Sequence, residues 1–121
     1  MRLLFVCTGN VDRSPAAEAV VKAIGGGAHE TRSAGTAPGA PHPLAEPDLE
    51  WADVVAVMEE RHRQVIAALW PDKLAKVRVL DIPDRYHRGD PALHAILEAP
   101  PRERAVRARW YDRAVSGNLH V

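Results

Sequence analysis

The feature that most constrains the fold is a short run near the amino terminus, Leu3-Leu4-Phe5-Val6, which is apolar at every position. A strand that alternates apolar and polar residues can leave one face in water, whereas a strand apolar throughout is buried on both faces. Such strands belong to parallel sheets that carry helices on each side. Further short apolar runs alternate with helical stretches, and this order predicts βα units on one parallel sheet.

The same patterns place the individual elements of an α/β fold. Ser14 is a good helix cap and Pro15 suits a first helical position, so a helix is predicted to begin there and to end at the glycines 25–27. Four prolines make residues 34–47 a predicted long loop. Strands are predicted over residues 3–6, 29–33, 53–58 and 77–80, and helices over residues 14–24, 59–70, 92–98 and 102–114.

Composition narrows the class of protein. The 121 residues are enough for one domain, so residues 1–121 are predicted to form a single unit. Sixteen basic residues balance sixteen acidic ones. This balance excludes a large basic surface for binding nucleic acid but allows a local cationic pocket. No apolar run is long enough to span a membrane, and the amino terminus is interpreted as mature cytoplasmic sequence. The sequence carries no signal for a particular oligomeric state.

Cysteine and histidine usage argues against cofactors. The chain has one cysteine, so it forms no internal disulfide and no cysteine-rich zinc site. Its six histidines include no pair at i,i+4 spacing and none beside the cysteine. We therefore expect neither a metal site nor a cofactor.

The segment between the first strand and the first helix has the composition of a phosphate-binding loop with a nucleophile. A helix amino terminus and Arg13 both favour the thiolate of Cys7, which is the nucleophilic form. Gly9 and Asn10 tolerate positive φ, so successive backbone N–H groups can point inward at an anion. Arg13 can bind the same anion in bidentate fashion. The predicted phosphate-binding residues are Thr8, Gly9, Asn10, Val11, Asp12, Arg13 and Ser14.

This motif resembles that of the low-molecular-weight protein tyrosine phosphatases, and the sequence looks closest to a short bacterial branch. The matching segments are residues 6–18, 33–36, 52–60 and 81–86. The resemblance implies a four-stranded parallel sheet with flanking helices. It implies Cys7 as nucleophile, Arg13 and the loop amides as the phosphate cradle, and Asp84 as general acid. It also implies that Asn10 and Ser33 hold the loop's shape and that Ser14 helps to keep the thiolate.

A second polar segment supports an acid independently of the resemblance. Asp81, Asp84, Tyr86 and His87 follow the fourth strand, at the sheet edge that carries Cys7. A phenolate leaving phosphorus needs a proton, which a positioned carboxylic acid supplies. The alternative is ordinary turn chemistry, which fits Asp81 better than Asp84. Tyr86 either stacks on a substrate ring in the cleft or forms a half-buried wall.

Three departures from the family pattern stand out. Asp12 occupies a position where most members carry a second cysteine; a side chain pointing inward would cost about 3 kcal/mol beside a bound anion. It could instead point outward, capping the helix or pairing with Arg85, which itself replaces the usual proline. Between Thr36 and Trp51 the chain is short and lacks the family's extra helix and cleft aromatic.

Residues 59–63 are predicted to be a solvated helix start.

The sequence thus predicts a cytoplasmic, cysteine-dependent phosphatase that works through a phosphocysteine. The expected partner is a phosphorylated protein, with phosphotyrosine as the best match, or a small aryl phosphate. The alternative from another class is a non-catalytic module that binds phosphate or a phosphopeptide. Arsenate reduction is disfavoured because its thioredoxin-coupled form needs further cysteines.

Overall fold

The computed structural model describes residues 1–25 and 29–98. The strands are β1 (Arg2–Cys7), β2 (Glu30–Gly35), β3 (Val54–Val57) and β4 (Val77–Val79). The α-helices are α1 (Arg13–Gly25), α2 (Glu46–Trp51), α3 (Glu60–Leu69) and α4 (Pro91–Glu98), and a 3₁₀ helix spans Pro71–Lys76. No helix in these two described ranges is long and apolar enough to cross a membrane.

All four strands lie parallel in one sheet with the order β2-β1-β3-β4. From β1 the chain passes through α1 to one neighbour, and later through α2 to the neighbour on the other side. The strand order therefore reverses next to β1, and the crevice at the carboxyl ends of strands at such a point is the usual ligand site of open α/β sheets. The loop that follows Cys7 lies at this crevice.

Apolar residues cover both faces of the sheet, as the run at residues 3–6 requires. On one face Leu3 and Phe5 pack with α1 and α4, and on the other Leu4 and Val6 pack with Leu49 of α2 and Ile66 of α3. The prediction of a four-stranded parallel sheet with helices on both faces is confirmed.

The predicted loop over residues 34–47 is wrong at both ends. The second strand continues to Gly35, which pairs with Cys7, because hydrogen bonding to β1 sustains it beyond the weak local pattern. At the other end α2 begins at Glu46, with Pro47 in its first turn, where proline loses no helical hydrogen bond. The segment between Thr36 and Trp51 thus contains a helix after all. The predicted helix over residues 102–114, like glycines 26 and 27, lies outside the described residues.

Candidate active site

Residues 8–12 form a turn between the end of β1 and the start of α1, and this turn packs against the end of β2. Asn10 adopts φ 54°, the left-handed conformation that Asn tolerates better than most residues. A Cβ built on Gly35 would lie 2.6 Å from the carbonyl oxygen of Thr8 and 3.0 Å from the nitrogen of Asn10. Only glycine at position 35 lets the turn lie this close to β2.

The sulfur of Cys7 is buried and surrounded by hydrogen-bond donors. The residue is 3% exposed, and its sulfur accepts the backbone N–H of Asn10 at 3.2 Å. The Ser14 hydroxyl lies 3.1 Å from the same sulfur and accepts a bond from the Asn10 side-chain amide at 3.0 Å. Because Ser14 already accepts from Asn10, its own proton can be donated to Cys7. Both donors stabilise negative charge on the sulfur.

Arg13, the first residue of α1, is buried with a fixed orientation. It is 2% exposed, and its Nη1 donates to Oε2 of Glu59 at 2.5 Å and to the carbonyl oxygen of Ile82 at 2.7 Å. Its Nη2 lies 3.9 Å from Oδ1 of Asp84. The guanidinium is therefore held by two groups on one nitrogen while the other faces the segment of the predicted acid.

Two residues at the start of α3 hold the turn at both of its ends, and the prediction of a solvated helix start is wrong for them. Glu59 pairs with Arg13, and His62 Nε2 lies 2.8 Å from the Thr8 hydroxyl. His62 is 1% exposed, and Glu59 is 27% exposed at its side chain. The sequence contained Glu59 in a matched segment, but nothing in the local pattern indicated contacts with residues 46 and 54 positions away.

The tautomer of His62 follows from its partners. Burial, together with the nearby charges of Arg13 and Arg61, lowers the pKa of this ring from 6.5 to about 4, against the opposing effects of Glu59 and Asp84. The neutral ring accepts the Glu59 backbone N–H at Nδ1, so its proton is on Nε2 and is donated to Thr8. Burial alone would raise the pKa of Glu59, but hydrogen bonds from Arg61 and Arg13 outweigh it and the net pKa is lowered.

The predicted acid lies across a cavity from the predicted nucleophile. Asp84 is 60% exposed at its side chain, with Oδ1 near Arg13 and Oδ2 3.9 Å from Nη2 of Arg61. The cavity has a volume of about 400 Å³ and is lined by Cys7, Thr8, Gly9, Val11, Asp12, Arg13 and Asp84. The structure thus brings the predicted nucleophile, loop, arginine and acid to one opening.

Other predicted residues take different places. Ser33 lies in β2, where it pairs with Phe5 of β1, and the side-chain amide of Asn10 donates to Ser14. Tyr86 is half-buried and packs against the core cluster of α1 and α4, which matches the wall alternative. Asp81 is exposed with φ 57°, a turn conformation.

Asp12 follows neither alternative in full. Asp12 lines the cavity, and its Oδ1 accepts the backbone N–H of Arg88 at 2.8 Å. This outward bond goes to a backbone amide and is not an ion pair with Arg85. Within residues 1–25 and 29–98, no cluster of three or more His, Cys, Asp or Glu side chains could hold a metal ion.

Comparison with known proteins identifies relatives of this arrangement. The family model for low molecular weight phosphotyrosine protein phosphatase matches residues 2–47. A protein-arginine-phosphatase from Bacillus subtilis is 37% identical, over 56% of this chain and 62% of the relative. The chain therefore spans less than two thirds of the length of that curated relative.

Solved structures give wider coverage. A YwlE mutant from Bacillus subtilis is 30% identical with a TM-score of 0.65, over 81% of this chain and 91% of the other. The low molecular weight protein tyrosine phosphatase from T. tengcongensis is 27% identical with a TM-score of 0.68, over 81% of this chain and 92% of the other. The similarity in both cases includes most of the described fold.

Proposed function

The chain belongs to the low molecular weight phosphotyrosine protein phosphatase family, and we propose that it is a cysteine-dependent phosphatase. The observation that carries the proposal is the set of groups around one cavity: a buried sulfur with two donors, a fixed arginine and a carboxyl group opposite. Relatives named as protein-arginine and protein tyrosine phosphatases support the same reaction class.

The first step is attack on phosphorus. The Cys7 thiolate forms a sulfur–phosphorus bond while the bond to the leaving oxygen breaks. Loop amides and the Nη2 side of Arg13 stabilise the charge on the three equatorial oxygens. Asp84 donates its proton to the leaving oxygen, which departs as an alcohol or phenol.

The second step restores the enzyme. The Asp84 carboxylate, now without its proton, takes one from a water molecule whose oxygen attacks phosphorus. The sulfur–phosphorus bond breaks, inorganic phosphate leaves and Cys7 returns to the thiolate. The residues provide nucleophile, electrostatic stabilisation and acid, so the scheme needs no cofactor.

A cytoplasmic location is part of the proposal, since a reducing compartment keeps the thiol available.

The substrate class in the proposal is phosphotyrosine in proteins. The buried Cys7 lines the cavity, a position that suits a long aryl ester. Val11, which is 55% exposed and also lines the cavity, offers an apolar contact for the ring. Phosphoarginine in proteins is the second candidate, because the curated relative is named for it.

Hydrolysis of aryl phosphate and of two matched phosphopeptides tests the proposal. One peptide carries phosphotyrosine and the other phosphoarginine at the same position, and released phosphate is measured for the wild type and Cys7→Ser. We expect hydrolysis of the aryl phosphate and preference for the phosphotyrosine peptide, with turnover abolished in Cys7→Ser. A wild type that binds phosphate without hydrolysing any substrate would instead indicate a non-catalytic binding module.

A further inference from the structure

We term residues 7–14 the phosphate-binding turn, and two consecutive residues of it hold the two ends of the segment that carries Asp84. Arg13 donates to the carbonyl oxygen of Ile82, two residues before Asp84. Asp12 accepts the backbone N–H of Arg88, four residues after it. Residues 82–88, which we term the acid loop, are thus attached to the start of α1 at both ends, although 69 and 76 positions separate the bonded residues.

The two ends of the acid loop differ in the other contacts that hold them. Ile82 is buried, and its N–H also donates to the carbonyl oxygen of Met58, so the sheet holds this end independently of Arg13. At the other end Arg88 is exposed, and its carbonyl oxygen accepts a bond from His94 Nε2 of α4 at 3.0 Å. The bond from Asp12 is therefore the contact that ties this end of the loop to the phosphate-binding turn.

We propose that Asp12 is a positioning residue that places Asp84 over the anion site through its bond to the Arg88 amide. The inference rests on the proposed phosphatase function and adds a role for a residue that the family pattern leaves unexplained. It also accounts for a carboxylate beside an anion site, where its charge opposes phosphate binding. The carboxylate contributes an acceptor that aligns the acid, and misplacing a catalytic group by about 1 Å can cost 10²-fold in rate.

The test compares Asp12→Ala with Asp12→Asn. Both remove the charge, but the asparagine side chain keeps a carbonyl oxygen that can accept the Arg88 amide. The matched control is Asp53→Ala: Asp53 also accepts one backbone N–H, from Arg2 at 2.8 Å, but at the opposite edge of the sheet. Values of kcat/KM are measured for p-nitrophenyl phosphate, a good leaving group, and for phenyl phosphate, a poor one.

A misplaced acid should affect the poor leaving group selectively. We expect Asp12→Ala to lower the ratio of phenyl to p-nitrophenyl phosphate hydrolysis by roughly tenfold, while Asp12→Asn and Asp53→Ala stay near the wild-type ratio. In an Asp84→Asn background, Asp12→Ala should leave the ratio unchanged, because its effect acts through Asp84. An unchanged ratio in Asp12→Ala, or the same fall with and without Asp84, would overturn the proposal.

A second measurement does not depend on activity. Trypsin cleaves after Arg85 and Arg88, and mass spectrometry of the products gives the cleavage rate at each bond. Loss of the tether should accelerate both cleavages in Asp12→Ala and not in Asp12→Asn. If the wild type hydrolyses no aryl phosphate, the proposed function fails, and equal tryptic rates in wild type and Asp12→Ala would separately overturn the tether.

Discussion

The phosphate-binding turn and the acid loop serve one cavity but are held in opposite ways. In the turn, Cys7, Asn10, Arg13 and Ser14 are buried, and their side chains bond to one another and to α3. In the acid loop most residues are exposed, and the structure holds the loop at Ile82, at Arg88 and through Tyr86, which packs against the core. The groups proposed to bind the anion are thus held in place before it binds, whereas the proposed acid depends on a few attachments.

This difference separates the expected consequences of mutation. A change in those groups of the turn that are proposed to contact the phosphoryl oxygens should affect all substrates alike, whereas Asp12 acts through the acid loop. A change in the acid loop should affect only substrates whose leaving group needs a proton. The following predictions examine this division.

Replacement of Arg13 should have the largest effect. Arg13→Ala removes a charge from the transition state, takes its donor from the Ile82 carbonyl and leaves Glu59 with its bond from Arg61. We expect kcat/KM to fall roughly 10³–10⁵-fold for good and poor leaving groups alike. Arg13→Lys should recover part of this loss, because lysine keeps the charge but lacks the fork.

Steady-state kinetics on both aryl phosphates measures the effect. Arg63→Ala is the control, since the Arg63 side chain is 42% exposed and pairs with Glu60 at 3.3 Å. A loss in Arg13→Ala that is confined to the poor leaving group would break the division between the two regions.

Replacement of the acid should have the next largest effect, and a selective one. Asp84→Asn cannot donate a proton to the leaving oxygen, so we expect a loss of roughly 10²–10⁴-fold for phenyl phosphate and a much smaller loss for p-nitrophenyl phosphate. Asp81→Asn should change either substrate less. Equal losses on both substrates in Asp84→Asn would remove this residue from the acid role.

The smallest expected effect concerns His62 at the start of α3, and it appears in the free energy of unfolding. The pKa of His62 lies at about 4 in the folded protein, below its ordinary 6.5, so between these values the unfolded chain binds a proton that the folded protein does not. The neutral ring's contribution is complete above pH 6.5 and is lost as pH falls toward 4, by roughly 3 kcal/mol. The lowered pKa of Glu59 acts in the same direction below pH 4.5.

Urea unfolding at several pH values between 7 and 4.5 measures this slope. His62→Gln should unfold with a flatter dependence of the free energy of unfolding on pH, whereas His87→Gln, at an exposed position, should retain the wild-type slope. Identical slopes in the wild type and His62→Gln would contradict the assigned neutral ring.

The same two regions show what a sequence can reveal. The turn was predictable because its signals are local: an apolar strand, a run of polar and glycine residues, and a helix cap lie within 14 residues. The carboxyl-edge rule for parallel sheets also placed the segment of Asp84 near Cys7. Fold class followed from the apolar run at residues 3–6 for the same reason.

What the sequence did not reveal depends on distant contacts. Glu59 and His62 have the pattern of an ordinary solvated helix start, and only the fold brings them to Arg13 and Thr8. The bond from Asp12 to Arg88 spans 76 positions and uses a backbone amide, which leaves no trace in residue type. The sequence did not reveal helix α2 because Pro47, which lies in its first turn, follows three other prolines and has the pattern of a loop.

Trapping the covalent intermediate tests the central claim most directly. Asp84→Asn is mixed with p-nitrophenyl phosphate and quenched in acid, because this variant should form the intermediate readily and lose it slowly. The account predicts one phosphoryl group on the peptide that contains Cys7, and none in a Cys7→Ala variant of the same protein. Turnover of the substrate with no phosphoryl group on Cys7, or with the group on another residue, would contradict it.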